Sequence, residues 1–324
     1  MVTSPRFNYI ITIHNKAELI ERVIMSVLIC CREGSHIYAV LDGCTDATEK
    51  NIDNIINTFA NVPITKVYTP DVHEILSINA GLQAASQEGE GYNIILQDDV
   101  LLADFMLEEK VARLYEWAGG DLGFVSFRLG ANFTEDAATS NELAPFTDFV
   151  ENAYGHGLPH ANVLLPGYIA YRSLPIKSPV CIPFSLVRCV GLLEERLAPY
   201  MYDDIEYAVR CIRAGYRNAV FPLRFYSDVK WGTTRTKPDP KMTEIQNRNM
   251  ELIRDLHGLD IANIAVNKED SNIIVELPNL FYENEQSYAL KVWEENKEKY
   301  YINNLPMQGR IKLYLEKLWA KNLK

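Results

Sequence analysis

The 324-residue sequence lacks a membrane span, a zinc-binding cysteine pattern and an excess of positive charge. Its longest apolar stretches, such as Val27 to Cys31, fall well short of the roughly 18–20 residues a helix needs to cross a bilayer. The opening residues, MVTSPRFNYI, lack the basic-then-apolar layout of a secretory signal. The expectation is a cytoplasmic protein, with any membrane contact peripheral and at the inner face. The six cysteines (Cys30, Cys31, Cys44, Cys181, Cys189 and Cys211) form no CxxC pair, so reduced, buried thiols are expected. Lys plus Arg number 32 against 43 Asp plus Glu, a net charge of −11. Such a chain is poorly suited to neutralise a nucleic-acid backbone, and no nucleic-acid partner is expected. A local basic pocket for a phosphorylated small molecule stays compatible with that charge. What the sequence does have is a hydrophobic fraction of 48%, enough to bury a sizeable core and to exclude wholesale disorder.

In the first half, apolar runs alternate with helical patterns. Phe7–Ile13, His36–Leu41, Thr65–Tyr68, Tyr92–Leu96 and Leu122–Phe127 read as strands. Between them, Lys16–Cys31, Asp46–Phe59, Ile75–Ser86 and Phe105–Trp117 carry apolar residues at helical spacing, with Asn15 a candidate N-cap for the first. This alternation implies βαβ units and a mostly parallel sheet flanked by helices, a Rossmann-like α/β fold. Residues 131–177 are rich in Asn, Gly, Pro and Thr with little periodicity, the composition of binding loops. A helix over Asp203–Ala214 and a strand over Ala219–Pro222 follow. From Lys241 the pattern is mainly helical, so a catalytic domain of residues 1–240 and a helical C-terminal extension of 241–324 are expected.

Ligands of such sheets sit beyond the carboxyl ends of the strands, and two acidic stretches fall there. Asp42-Gly43-Cys44-Thr45-Asp46 follows the second strand and Gln97-Asp98-Asp99 the fourth. Adjacent carboxylates after a buried run suit Mg2+ or Mn2+, which prefer hard oxygen ligands and keep positions open for phosphate. Taken alone, each stretch is as well explained as a solvated turn. A third acidic group, Asp203-Asp204 and Glu206, opens a helix, where it complements the helix dipole or supplies a general base.

The order of these motifs is more informative than any one of them. An apolar strand runs into His14-Asn15, then come DGCTD, Asn79-Ala80-Gly81, a strand into Gln97-Asp98-Asp99, and DDIEYAVRCIRAGY. This resembles the family 2 glycosyltransferases, over about Phe7 to Pro222. The resemblance implies the GT-A fold and an inverting, nucleotide-sugar-dependent enzyme that uses Mn2+ or Mg2+. It places Thr12 and Asn15 near the nucleoside, Asp42 on the base, Asp98 on ribose or metal, Asp99 on the metal, and Asp204 as the catalytic base. There are departures: His14 stands for the usual Tyr, Leu41 and Cys44 for Asp and Ser, Gln97 for the first Asp of the DXD motif, and Asp203 for Glu. Where many members carry a metal-binding His after the last strand, this chain has Asp228 as the candidate substitute.

The implied donor is a nucleotide-sugar, UDP-linked, and the acceptor a hydroxyl of a glycan or lipid-linked molecule in surface polysaccharide assembly. Arg235, in a basic loop with Lys237, is a candidate for closing over the diphosphate, weighed equally with a solvated loop. His156 and His160 are spaced i, i+4, but the intervening glycine and proline argue against the helix a metal pair needs. The mixed charges of the C-terminal helices favour a solvated or packing face over a membrane surface. Two rivals stand beside this reading. A nucleotidyltransferase normally has a Gly-rich basic loop near the N-terminus, which is missing here. A non-catalytic nucleotide or sugar binder on a degenerate transferase fold is kept open by Gln97 and the missing His.

Overall fold

The computed structural model describes residues 5–59, 63–133, 149–154, 162–232, 239–266, 274–278 and 283–304. The architecture grows from β1 (Arg6–Ile13), which is buried along seven of its eight residues. It pairs in parallel with β2 (His36–Asp42) on one side and β4 (Gly91–Gln97) on the other, and β2 pairs in parallel with β3 (Ile64–Thr69). Register aligns Thr12 with both Val40 and Gln97. The ends of three strands, and the residues just beyond them, therefore lie along one edge of the sheet.

The sheet continues past β4 through β12 (Val180–Pro183), β6 (Leu122–Ser126), β13 (Arg217–Val220), β10 (Tyr168–Tyr171) and β15 (Ile274–Glu276). Its nine described strands run in the order β15-β10-β13-β6-β12-β4-β1-β2-β3, and only β12 and β10 run against the rest. The expected α/β fold with a mostly parallel central sheet is thus present. A smaller sheet, β11-β7-β8-β9, is built from β7 (Leu129–Ala131), β8 (Phe149–Asn152), β9 (Asn162–Leu164) and β11 (Leu174–Ile176). A two-stranded ladder joins β5 (Leu101–Leu102) to β14 (Phe225–Tyr226).

Helices cover both faces of the large sheet, as a parallel sheet requires. One face packs α1 (Ile20–Cys30), α2 (Thr48–Thr58) and α4 (Leu107–Ala118) on Tyr9, Ile11 and Ile13. The other packs α3 (His73–Ala84), α5 (Phe184–Val190) and α6 (Asp203–Arg213) on Ile10, Tyr38 and Val40. The Asn79-Ala80-Gly81 motif has a packing role. A Cβ at Gly81 would lie 2.4 Å from Ile10 Cγ2, so α3 sits against the sheet only without one. Asn79 is buried and exchanges two hydrogen bonds with the backbone of Leu193, tying α3 to the loop after α5.

Three features differ from the sequence reading. The first helix starts at Ile20, four residues later than Lys16, because Asn15 is left-handed (φ 47) and its side chain faces the DGCTD loop instead of capping the helix. Residues 131–177, expected to be irregular, contain β8 to β11 in their described parts; strands of three or four residues are too short to show an alternation. β12, a four-residue run closed by Pro183, and α5, a seven-residue helix that follows it, are too short to carry a periodic signal.

Beyond Pro240 lie α7 (Met242–Val266, interrupted at Gly258), β15 and α8 (Glu283–Asn304). These elements return to the main body: β15 pairs with β10, and Glu285 forms a buried ion pair with Lys110 at 2.8 Å. Among the described residues no helix is long and apolar enough to cross a membrane.

Candidate active site

At the carboxyl end of β2, Asp42 is almost wholly buried. Its Oδ1 accepts from Thr69 Oγ1 and the Val72 amide, both at 2.7 Å, and its Oδ2 from the His73 amide at 2.8 Å. The carboxylate therefore organises the loop between β3 and α3. Asp71 (φ 52) and His73 (φ 63) are left-handed there, a cost sustained by these bonds. Gly43 is needed beside it, since a Cβ would meet Asp71 Cβ at 2.5 Å. His14 Nδ1 donates to the Asp42 carbonyl at 2.6 Å, and Asn15 Nδ2 donates to Nε2 at 3.2 Å. A carbonyl can only accept, so Nδ1 carries the proton. Asn15 Oδ1 in turn accepts from the amides of Thr45 and Asp46, tying the end of β1 to the DGCTD loop. Asp46 accepts from the Ala17 and Thr48 amides, a local structural role.

At the end of β4, Asp98 Oδ2 accepts from the His14 amide at 2.9 Å, and Oδ1 lies 3.3 Å from Lys16 Nζ. Burial pushes the Asp98 carboxyl up to about 6, against the pull of Lys16 and the His14 amide. Lys16 also donates to the Trp231 carbonyl at 2.7 Å, which brings residues 228–231 to the same place. Asp228 caps the turn there, accepting from the Lys230 amide at 2.9 Å. The Trp231 ring packs against Arg22 and Tyr226, an anchoring position. Asp99 is buried beside Asp98.

Gln97 turns the other way and donates to Glu74 Oε1. Glu74 Oε2 lies 3.2 Å from Lys177 Nζ, and Lys177 donates to the fully buried Asp203 through Oδ2. Burial alone would lower the lysine pKa, but the charges of Asp203 and Glu74 outweigh it and raise it, so Lys177 is protonated. This chain of contacts links the end of β4 to the start of α6, where Asp204 is partly exposed beside Asp203. Burial and the charge of Asp203 push the Asp204 carboxyl up to about 7, Lys177 opposing them. Met201 (φ 79) and Tyr202 (φ 66) are both left-handed immediately before α6.

The sheet edge thus collects Thr12, Asn15, Asp42, Asp98 and Asp99, with the turn that begins at Asp228 joined through Lys16 and Trp231, and Asp203, the neighbour of Asp204, joined through Lys177. Arg235, His156 and His160 lie outside the described residues. Sequence reasoning missed Lys16, Glu74, Asp71 and Lys177. Only the three-dimensional fold brings Lys177 to Asp203, 26 positions away, and no motif marks it. The ligand atoms of His14, Asp42 and Asp71 all lie within 4.8 Å of one another, a metal-capable grouping. Its Asp42 carboxylate is already engaged by three hydrogen bonds, so a cation there would compete with the loop.

No family model matches this sequence, and no curated protein does. Solved structures do. Over 94% of this chain and 77% of its own length, S. aureus TarS 1–349 in complex with UDP-GlcNAc superposes with a TM-score of 0.55 at 12% identity. The mannosyltransferase PcManGT from Pyrobaculum calidifontis, in complex with GDP-Man and Mn2+, does so over 98% and 81% with a TM-score of 0.50 at 15% identity. The fold is that of GT-A-like glycosyltransferases.

Proposed function

We propose that this chain is an inverting, nucleotide-sugar-dependent glycosyltransferase of the family 2 type. The observation that carries the reading is the pair of acidic centres at one sheet edge: Asp98-Asp99, and Asp203, the residue before Asp204, tied to that edge through Gln97, Glu74 and Lys177. Thr12, Asn15 and the loop ordered by Asp42 form the nucleoside side, with Arg235 assigned to the diphosphate. UDP is the favoured base-bearing group, and the GDP-Man bound by PcManGT makes GDP the second nucleotide to try.

We assign the cation to carboxylates on the strength of their chemistry, since hard divalent ions prefer oxygen donors. Asp99 and Asp228 would hold Mn2+ or Mg2+, since Asp98 is already committed to Lys16 and the His14 amide. Such an ion, when bound, would neutralise charge growing on the departing diphosphate. Asp204, once ionised, takes the proton from an acceptor hydroxyl as that oxygen attacks the anomeric carbon and the nucleoside diphosphate leaves from the opposite face. A carboxyl titrating near neutrality is matched to that task. We assign the acceptor to the glycan or lipid-linked class, in surface polysaccharide assembly at the cytoplasmic face, with residues 1–240 as the catalytic unit and 241–324 as its extension.

The test is a screen of UDP-GlcNAc and GDP-mannose, with and without Mn2+ and with a panel of glycan and lipid-linked hydroxyl acceptors (water being the acceptor in the blank), reading thermal stabilisation and nucleoside diphosphate release. Stabilisation with release supports a transferase. Stabilisation without release supports the second reading, a nucleotide-binding protein, which the engagement of Gln97 by Glu74 favours. No stabilisation by either donor overturns both.

A further inference from the structure

The chain beyond Pro240 carries no motif of the proposed activity, yet one of its residues grips the segment that presents Asp204. Asn249, on α7, is fully buried. Its Nδ2 lies 2.9, 3.0 and 2.8 Å from the carbonyls of Leu197, Tyr200 and Met201, its two N–H groups serving three acceptors with one of them shared. Its Oδ1 accepts from Arg248 Nε and Nη2, and Arg248 donates in turn to the Ala198 carbonyl. These are the residues leading into α6, including the left-handed Met201. A left-handed conformation is costly for any non-glycine residue, because Cβ crowds the following carbonyl oxygen. Two in succession persist only where neighbours impose them. The same segment also meets the donor side: the Ile75 amide donates to the Pro199 carbonyl at 3.3 Å, and His73 lies edge-on to Tyr200. A second contact from α7 steadies α6 itself, where His257 Nε2 lies 3.0 Å from Glu206 Oε1.

We infer that Asn249 is a positioning residue for Asp204: by holding three carbonyls of the preceding loop it fixes the left-handed turn that aims the carboxyl at the start of α6. The inference rests on the proposed role of Asp204. It gives the 241–324 extension, through α7, a part in positioning a residue of the 1–240 unit. Removing the amide takes this donor from the Leu197, Tyr200 and Met201 carbonyls, so the turn relaxes and the carboxyl shifts.

The experiment compares the full-length wild type with N249A and D204N, using UDP-GlcNAc and GDP-mannose with Mn2+ and the same panel of hydroxyl acceptors, water included. Nucleoside diphosphate release gives kcat and donor KM separately, and amide hydrogen exchange reports on the loop. N249A is expected to lower kcat by about 10–100-fold with little change in KM. It is also expected to speed exchange at the amides of Ile205 and Glu206 while Val72 and His73 keep their protection. A folded N249A with wild-type exchange at 205–206 overturns the inference. So does wild-type kcat in N249A when D204N is inactive, which leaves the proposed function standing. A fully active D204N overturns the base assignment and the inference together. N249S, whose shorter side chain keeps a single donor, is the milder variant should N249A not fold, and the same readouts decide it. M201G supplies a residue that adopts a left-handed φ freely. In the N249A background it is expected to restore part of the lost kcat; no recovery counts against the proposed geometry.

Discussion

The two sides of the candidate site hold their carboxylates differently. On the donor side, backbone amides do most of the work: Asp42 accepts from Val72 and His73, Asp46 from Ala17 and Thr48, and Asp98 from His14. On the α6 side, Asp203 is held by the charge of Lys177, which Glu74 shares. Asp204 sits beside that cluster and accepts from the Ile205 amide. Amide-held carboxylates shape loops and stay rigid. A carboxylate beside a shared buried charge is electrostatically adjustable, which suits proton transfer. Asp98 stands between the two, with a backbone amide on one oxygen and the Lys16 charge near the other.

The largest effect expected to break this contrast comes from Lys177. K177M leaves Asp203 and Glu74 without their cation in a buried setting, and should cost about 3–5 kcal/mol in denaturant unfolding. On the donor side, a nucleotide at about 100 times its dissociation constant should stabilise the wild type by about 2.7 kcal/mol; D99N is expected to lose the Mn2+-dependent part of that thermal shift. D42A removes three hydrogen bonds from the 69–73 loop, costing about 1–3 kcal/mol and weakening nucleotide binding by calorimetry.

The smallest effect is a pH dependence of opposite character. Asp204 titrates higher in the fold than the ordinary aspartate range of about 3.9, up to about 7. Its ionisation therefore disfavours the fold, and its contribution improves as pH falls through about 7 toward about 4. D204N should melt above the wild type at about pH 8 and level with it at about pH 4. Wild-type turnover should fall along an acid limb near pH 7. A D204N variant that melts below the wild type at alkaline pH would erase the difference between the two sides.

The donor side was legible because its parts are local. The strand runs before Asp42 and Asp98, and the Asn-x-Gly spacing that lets α3 approach Ile10, are each contained in a short stretch of chain. The α6 side was half legible. The acidic start of α6 was visible, but Lys177 lies 26 positions from Asp203 and Asn249 lies 48 from Met201. Neither sits in a periodic or motif context. Asn15 shows the reverse failure: its residue type suited a helix cap, while its left-handed backbone directed the side chain to Thr45. β8 to β11 were missed because strands of three or four residues carry too few positions to reveal a period.

The most direct measurement takes D204N and the wild type side by side, recording nucleotide affinity by calorimetry and nucleoside diphosphate release on the same preparations. If Asp204 is the base and the β1–β2–β4 edge holds the donor, affinity stays nearly unchanged while release falls by about 10²–10⁴-fold. Release at the wild-type rate from D204N would contradict the account.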